Sequence, residues 1–141
     1  MKVSARRKFF AALFAAVMLA SCAREDSPEQ RVRAVIAAAE EAAEARDVSA
    51  AMQLVASDYA DTRGFDRLAL RAFVHGYFVL NQSIRLLVRV EDVRFPADEL
   101  AQARVTVGML GSRAEVHEFD VELVNEGGDW LLRRAERRTS H

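Results

Sequence analysis

The stretch Ile84-Arg85-Leu86-Leu87-Val88-Arg89-Val90-Glu91-Asp92-Val93-Arg94-Phe95 decides the fold. Ile84, Leu86, Val88 and Val90 alternate with Arg85, Leu87, Arg89 and Glu91, the two-residue period of a half-buried strand. Just upstream, Leu70, Phe73, Tyr77 and Leu80 recur at three- and four-residue steps, the period of a helix. The chain therefore switches from helix to strand near Asn81. Val93 and Phe95 resume the alternation after a one-residue slip at Glu91-Asp92, which predicts a β-bulge.

Downstream the two-residue period continues. Residues 96–99 form a turn, and Ala103, Val105, Val107 and Met109 alternate again. Gly111-Ser112 is a tight turn. Phe119, Val121 and Leu123 mark a third strand, Glu126-Gly127-Gly128-Asp129 a hairpin turn, and Trp130 and Leu132 open a fourth strand. The expected sheet is a four-stranded antiparallel meander.

Upstream the signals are helical. Ser27-Pro28-Glu29-Gln30 carries a hydroxyl cap, a proline at the first helical position and a glutamine three residues after the cap. Val32, Val35, Ile36 and Ala39 give this helix an apolar side, and it runs to about Arg46. Asp47 caps a short second helix with Met52, Leu54, Val55 and Tyr59 on its apolar side. Asp61-Thr62-Arg63-Gly64 is a turn, and Asp66 caps a third helix to about Gln82, with Leu70, Phe73, Tyr77 and Leu80 as its buried stripe. Gly76 interrupts that helix at a cost of about 1 kcal/mol against alanine, which close packing on another backbone would explain. Three helices followed by a meander make an α+β domain.

Ahead of this domain lies a different kind of segment. Residues 1–8 hold four basic and no acidic groups; residues 9–20 are apolar; Leu19-Ala20-Ser21-Cys22 follows. A basic start, a short apolar run and small residues at a cut site are the parts of a secretory signal, and the run is shorter than the ~20 residues a bilayer span needs. The tetrapeptide resembles the lipobox of bacterial lipoproteins. That resemblance implies cleavage after residue 21, diacylglycerol on the Cys22 thiol and acylation of the new amine, and several chains anchor stably where one binds reversibly. Residues 22–27 would then be the lipidated cysteine and a short tether. Ala23 stands where an aspartate would favour inner-membrane retention in enteric lipoproteins, so the expected location is the periplasmic face of the outer membrane.

Without residues 1–21 the chain has sixteen arginines, no lysine and 21 acids, a net charge of −5. An acidic domain without a basic face argues against nucleic acid. Cys22 is the only cysteine, so neither an internal disulfide nor a cysteine-metal cluster can form. His75, His117 and His141 lack metal-ligand spacing. No glycine-rich phosphate loop is present, and no cofactor is implied.

The order and length of the elements, the Tyr59-x-Asp61 element before the third helix and the closing Gly128-Asp129-Trp130-Leu131-Leu132 hairpin resemble the nuclear transport factor 2-like superfamily over residues 28–138. The resemblance implies a cone in which three helices pack on the concave side of a strongly curved antiparallel sheet. Members include steroid isomerases, dehydratases, polyketide cyclases and non-enzymatic binding or dimerisation domains, so the fold does not give the function. The enzymes use an acid/base pair inside the cone, a base near the substrate C–H and a donor for the developing oxyanion. Candidates for such roles are Tyr59, Asp61, Glu115 and His117, with His75, Tyr77 and Asn81 behind them.

Each candidate has a plainer reading. Glu115 and His117 share strand parity with Phe119 and could pair at the cone's mouth, but a solvated strand end accounts for them more simply. Tyr59 and Asp61 could shape the pocket entrance, or be a packing tyrosine and a turn aspartate. His75 falls off the helical stripe, toward the surface. Phe73, Tyr77, Phe119 and Trp130 are the expected pocket lining. Arg85 and Arg89, with Leu87 between them, lie on the opposite sheet face, which in the superfamily often forms a homodimer interface. The reading reached is a lipid-anchored envelope protein that binds a small apolar or amphipathic ligand or a protein partner. The alternatives are an isomerase- or dehydratase-type enzyme and a structural subunit of an envelope assembly.

Overall fold

The computed structural model describes residues 25–111 and 113–139. The expected signal segment 1–21, Cys22, the first tether residues and Ser112 lie outside them. The helices are α1 (Pro28–Glu44), α2 (Val48–Gln53) and α3 (Arg67–Leu80). Each begins at the side chain that the sequence offers. Ser27 Oγ accepts from the Gln30 amide at 3.2 Å while Gln30 Oε1 accepts from the Ser27 amide at 2.8 Å. Asp47 Oδ1 accepts from Ala50 at 2.9 Å, and Asp66 Oδ1 from Ala69 at 2.8 Å. These caps satisfy amides that a helix start leaves without partners. Among the described residues no helix is long and apolar enough to cross a membrane.

Strands β1 (Leu86–Ala97), β2 (Leu100–Met109), β3 (Glu115–Glu126) and β4 (Asp129–Arg137) form one antiparallel sheet in the order β1-β2-β3-β4. The slip in β1 is a register shift after Glu91, with Asp92 at φ +53°. The β3–β4 hairpin closes on two glycines, at φ +62° and +100°, between the paired residues Glu126 and Asp129. Positive φ at both central positions is the two-residue turn whose twist matches the strands. Asn125 Oδ1 caps it by accepting from the Gly128 amide at 2.9 Å.

An irregularity in β4 is invisible in the alternation. Leu132 pairs with Leu123, but Arg134, not Arg133, pairs with Glu122. The extra residue turns Leu132 and Ala135, three apart, toward the same face. At the same place the chain after α2 joins the edge of β4. The Leu132 amide donates to the Leu54 carbonyl at 2.7 Å, Ala56 to Leu132 at 2.9 Å and Ala60 to Arg133 at 3.2 Å. This segment covers part of an edge that would otherwise expose unpaired backbone.

The core lies between α1 and the sheet. Val32, fully buried, packs with Ala101, Leu123 and Trp130, flanked by Val35, Ile36, Val93 and Val121. Both ends of α1 are fastened to β1: Arg33 Nη1 donates to the Val90 carbonyl at 2.9 Å, and Glu44 Oε1 accepts from the Leu86 amide at 2.9 Å. Met52, Val55 and Tyr59 form a second buried group against Phe65, Leu70 and Leu132.

The third helix departs from expectation. Leu80 is 83% exposed and Phe73 49%, while Phe78 is buried. Leu70, Val74 and Tyr77 are half-buried and Phe78 is buried, so the inward side runs along Leu70, Val74 and Phe78 with Tyr77 at its edge, and Phe73 and Leu80 lie outside it. The cause is the position of α3, which packs chiefly on α2. Phe65, Phe73 and Tyr77 instead form an aromatic row along its flank, with centroid spacings of 5.6 and 6.5 Å. Beyond its chain neighbours and its own helix backbone, nothing lies within 4 Å of where a Gly76 Cβ would stand, so close packing on another backbone is not the reason for it.

Candidate functional site

The inner faces of α1, α2 and the sheet enclose a half-open cavity of about 280 Å³. Val35, Ile36 and Ala39 line it from α1, Leu54 and Val55 from the segment after α2. Leu86, Val88, Val105, Val107, Phe119 and Val121 line it from the sheet. Leu132 and Ala135 complete the wall, both turned inward by the extra residue in β4. The only ionisable lining residue is Glu40 of α1. A small apolar cavity with few polar groups is the form that ligand sites usually take.

The expected site residues take up other positions, with one exception. Phe119 is on the cavity wall. Trp130 is buried behind it in the core, edge-on to Phe95 at 5.7 Å. Phe73 is half exposed on α3. Tyr77 lies in a polar cleft at the open ends of β1–β3, with Asn81, Ser83, Arg85, Met109 and Glu115; its hydroxyl meets Met109 Sδ at 3.7 Å. His75 is exposed on α3.

Tyr59 and Asp61 do come together. The phenol donates to Asp61 Oδ2 at 2.9 Å. The same carboxylate accepts from Arg63 Nη2 at 2.9 Å, and its Oδ1 accepts from the Arg63 and Phe65 amides at 2.9 and 3.1 Å. Burial alone would raise the Asp61 pKa, but these hydrogen bonds from Arg63, Phe65 and Tyr59 outweigh it and hold the carboxyl below its ordinary value. Burial first, then the bond to Asp61 and its charge, push the Tyr59 phenol up to about 12. A neutral phenol and an ionised carboxylate with every oxygen engaged form a latch over the α2–α3 connection. They line none of the cavity.

Glu115 and His117 also meet, His117 Nε2 lying 3.2 Å from Glu115 Oε2. Arg137, from β4, donates to His117 Nδ1 at 2.7 Å. An arginine can only donate, so Nδ1 is the acceptor and the ring proton sits on Nε2, facing the carboxylate. Glu115 is exposed and borders the polar cleft of Tyr77, outside the apolar cavity. Tyr59 with Asp61 and Glu115 with His117 thus pair separately, and none of the four lines the cavity. Among the described residues no group of three or more metal-binding side chains is assembled.

Sequence reasoning missed Glu40 and Arg137. Glu40 had a signal: it follows Val32 and Ile36 at four-residue steps, so it stands where the buried side of α1 calls for another apolar residue. Arg137 had none, because its register against β3 depends on the extra residue in β4.

No protein-family model matches the chain, and no curated protein sequence matches it. Solved structures do. A provisionally assigned scytalone dehydratase from Novosphingobium aromaticivorans superposes with a TM-score of 0.70 at 14% identity, covering 80% of this chain and 84% of that one. A nuclear transport factor 2-like protein of unknown function from Shewanella oneidensis gives 0.66 at 12%, covering 79% and 98%. A provisionally assigned calcium/calmodulin-dependent protein kinase type II association domain from Thiobacillus denitrificans gives 0.66 at 18%, covering 77% and 94%. At such identities the likeness establishes the fold alone: α+β, nuclear transport factor 2-like, with helices against a curved four-stranded antiparallel sheet.

Proposed function

We propose that the chain is a lipid-anchored protein of the cell envelope whose domain binds a small apolar or amphipathic ligand between α1 and the sheet. The observation that carries the binding role is the cavity of about 280 Å³, lined by aliphatic side chains, Phe119 and one carboxylate. The anchor rests on the sequence alone, on Cys22 behind its basic and apolar segments. Native mass spectrometry of the purified protein, followed by organic extraction, tests binding. A stoichiometric apolar compound is the expected result. Its loss on filling the cavity by Leu54→Trp, with the fold retained, assigns it to this site; a preparation with nothing bound and no uptake of added alcohols or fatty acids sinks the reading. Labelling of Cys22 by a radioactive fatty acid in the producing cell tests the anchor.

An isomerase- or dehydratase-type activity is the second reading, favoured by the Glu115–His117–Arg137 chain beside the polar cleft of Tyr77 and Asn81. It expects turnover that Glu115→Gln and His117→Gln each abolish. Self-association through the outer sheet face is a further part of the proposal. Leu87 and Val116, 63% and 68% exposed, flank the flat backbone of Gly108 there. Leu87→Glu should then shift sedimentation from dimer to monomer.

A further inference from the structure

Glu40 is a carboxylate in an otherwise apolar wall. Two other glutamates of α1 have partners: Glu29 binds Arg33 at 2.9 Å, and Glu44 takes the Leu86 amide at 2.9 Å and faces Arg85 at 3.8 Å. Glu40 has no hydrogen bond or ion pair among the described residues, although it is only partly exposed and borders the cavity. Moving a charge next to an apolar wall is unfavourable unless an opposite charge or a donor meets it. The helix could have avoided this with any aliphatic residue at that position. Cavity volume limits the complement: about 280 Å³ is the space of roughly nine waters, and hence of an aliphatic body of roughly eight carbons.

Building on the binding role proposed above, we infer that the occupant is a cationic amphiphile. Its protonated amine pairs with Glu40 and its hydrocarbon body lies along Ile36, Val88, Val105 and Phe119. Apolar burial supplies affinity for any ligand of this size. The carboxylate supplies discrimination, because it accepts a charge-assisted hydrogen bond from an ammonium, a weaker one from a hydroxyl, and repels a carboxylate.

The test is calorimetric titration of the full chain in lipid nanodiscs, with empty nanodiscs as reference, using octylamine, octanol and octanoate. Octylamine is expected to bind at least about ten-fold more tightly than octanol, with octanoate weakest. Glu40→Gln should erase the amine preference while octanol binding persists, and this persistence shows that the variant is folded. Glu41→Gln, at the exposed neighbouring position, should leave the preference in place. Equal binding of amine and alcohol, or an amine preference that survives Glu40→Gln, overturns the inference and leaves the cavity reading standing. If none of the three probes binds, both fall.

Discussion

The Tyr59 phenol donates to Asp61 Oδ2 at 2.9 Å with the tyrosine 2% exposed and the aspartate side chain sealed from solvent. This pair joins the end of the α2 segment to the turn that leads into α3. Asp61 Oδ1 also holds the Arg63 and Phe65 amides. Asp61→Ala would leave the phenol and these amides short of an acceptor at once. A buried donor without a partner costs about 1–3 kcal/mol, so the expected loss is about 2–4 kcal/mol. Urea unfolding followed by Trp130, the only tryptophan and a core residue, measures it. A loss under about 0.5 kcal/mol would show that the latch carries no weight.

The same pair contributes to stability at both ends of the pH range. The folded Asp61 pKa lies below the ordinary 3.8, so the unfolded chain takes up the proton first as pH falls. The stabilisation is complete above about pH 4 and is lost as pH drops through the folded value. Tyr59 behaves in the opposite sense. Its folded pKa is about 12 against 10.0, so stability is intact below pH 10 and declines between pH 10 and 12. The expected decline is about 2–3 kcal/mol by linkage. In a Tyr77→Phe background the remaining phenol should ionise near pH 12 in the folded protein and near 10 in urea, read by absorbance at 295 nm. Tyr59→Phe should flatten the alkaline limb, and Asp61→Asn the acid one.

The hairpin between β3 and β4 predicts unequal costs at adjacent residues. Gly127, at φ +62°, lies in the left-handed region that asparagine tolerates; Gly128 is at +100°. Gly127→Asn yields the Asn-Gly pair preferred in such turns and should change stability by less than about 0.5 kcal/mol. Gly128→Ala forces an L-residue into a region that costs about 1–2 kcal/mol. Thermal unfolding by circular dichroism separates the two; equal effects would mean that the turn has another geometry.

What the sequence made legible, and what it did not, follows from the kind of force at work. Ser27, Asp47 and Asp66 act within one turn of chain, so their caps could be read directly. The slip at Asp92 was legible because it shifts an alternation with apolar residues on both sides. The extra residue in β4 was not, because Leu131-Leu132 and Arg133-Arg134 each offer two equivalent residues and the alternation cannot tell which of them faces in. The buried side of α3 was missed for another reason. Leu70, Phe73, Tyr77 and Leu80 form a periodic apolar row, but burial depends on where the helix rests, and α3 rests on α2. The site followed suit: Tyr59 with Asp61 and Glu115 with His117 were found as pairs, while the cavity they were expected to serve is lined by largely aliphatic residues from α1, the α2 segment and all four strands.

That correction to α3 can be tested directly. Phe78 is 7% exposed, so Phe78→Ala should cost about 3–5 kcal/mol. Leu80 is 83% exposed, so Leu80→Gln should stay within about 0.5 kcal/mol of the parent. Equilibrium unfolding of the two variants decides it. A large loss at Leu80 would restore the stripe that the period alone implied, or reveal a partner bound over it.

Gly76 gives the sharpest case, because sequence and structure give opposite signs. If the glycine allowed two backbones to approach, a methyl group there would clash and destabilise. Beyond its chain neighbours and its own helix backbone, nothing lies within 4 Å of its missing Cβ, and its φ is not among the positive ones. Alanine then gains helix propensity and lowers the entropy of the unfolded chain with nothing lost by contact. Gly76→Ala should stabilise the domain by about 0.5–1 kcal/mol, raising the urea midpoint with an unchanged slope. A fall in the midpoint would mean that something not seen in this single chain, such as a second copy or a bound partner, lies against α3 at that turn.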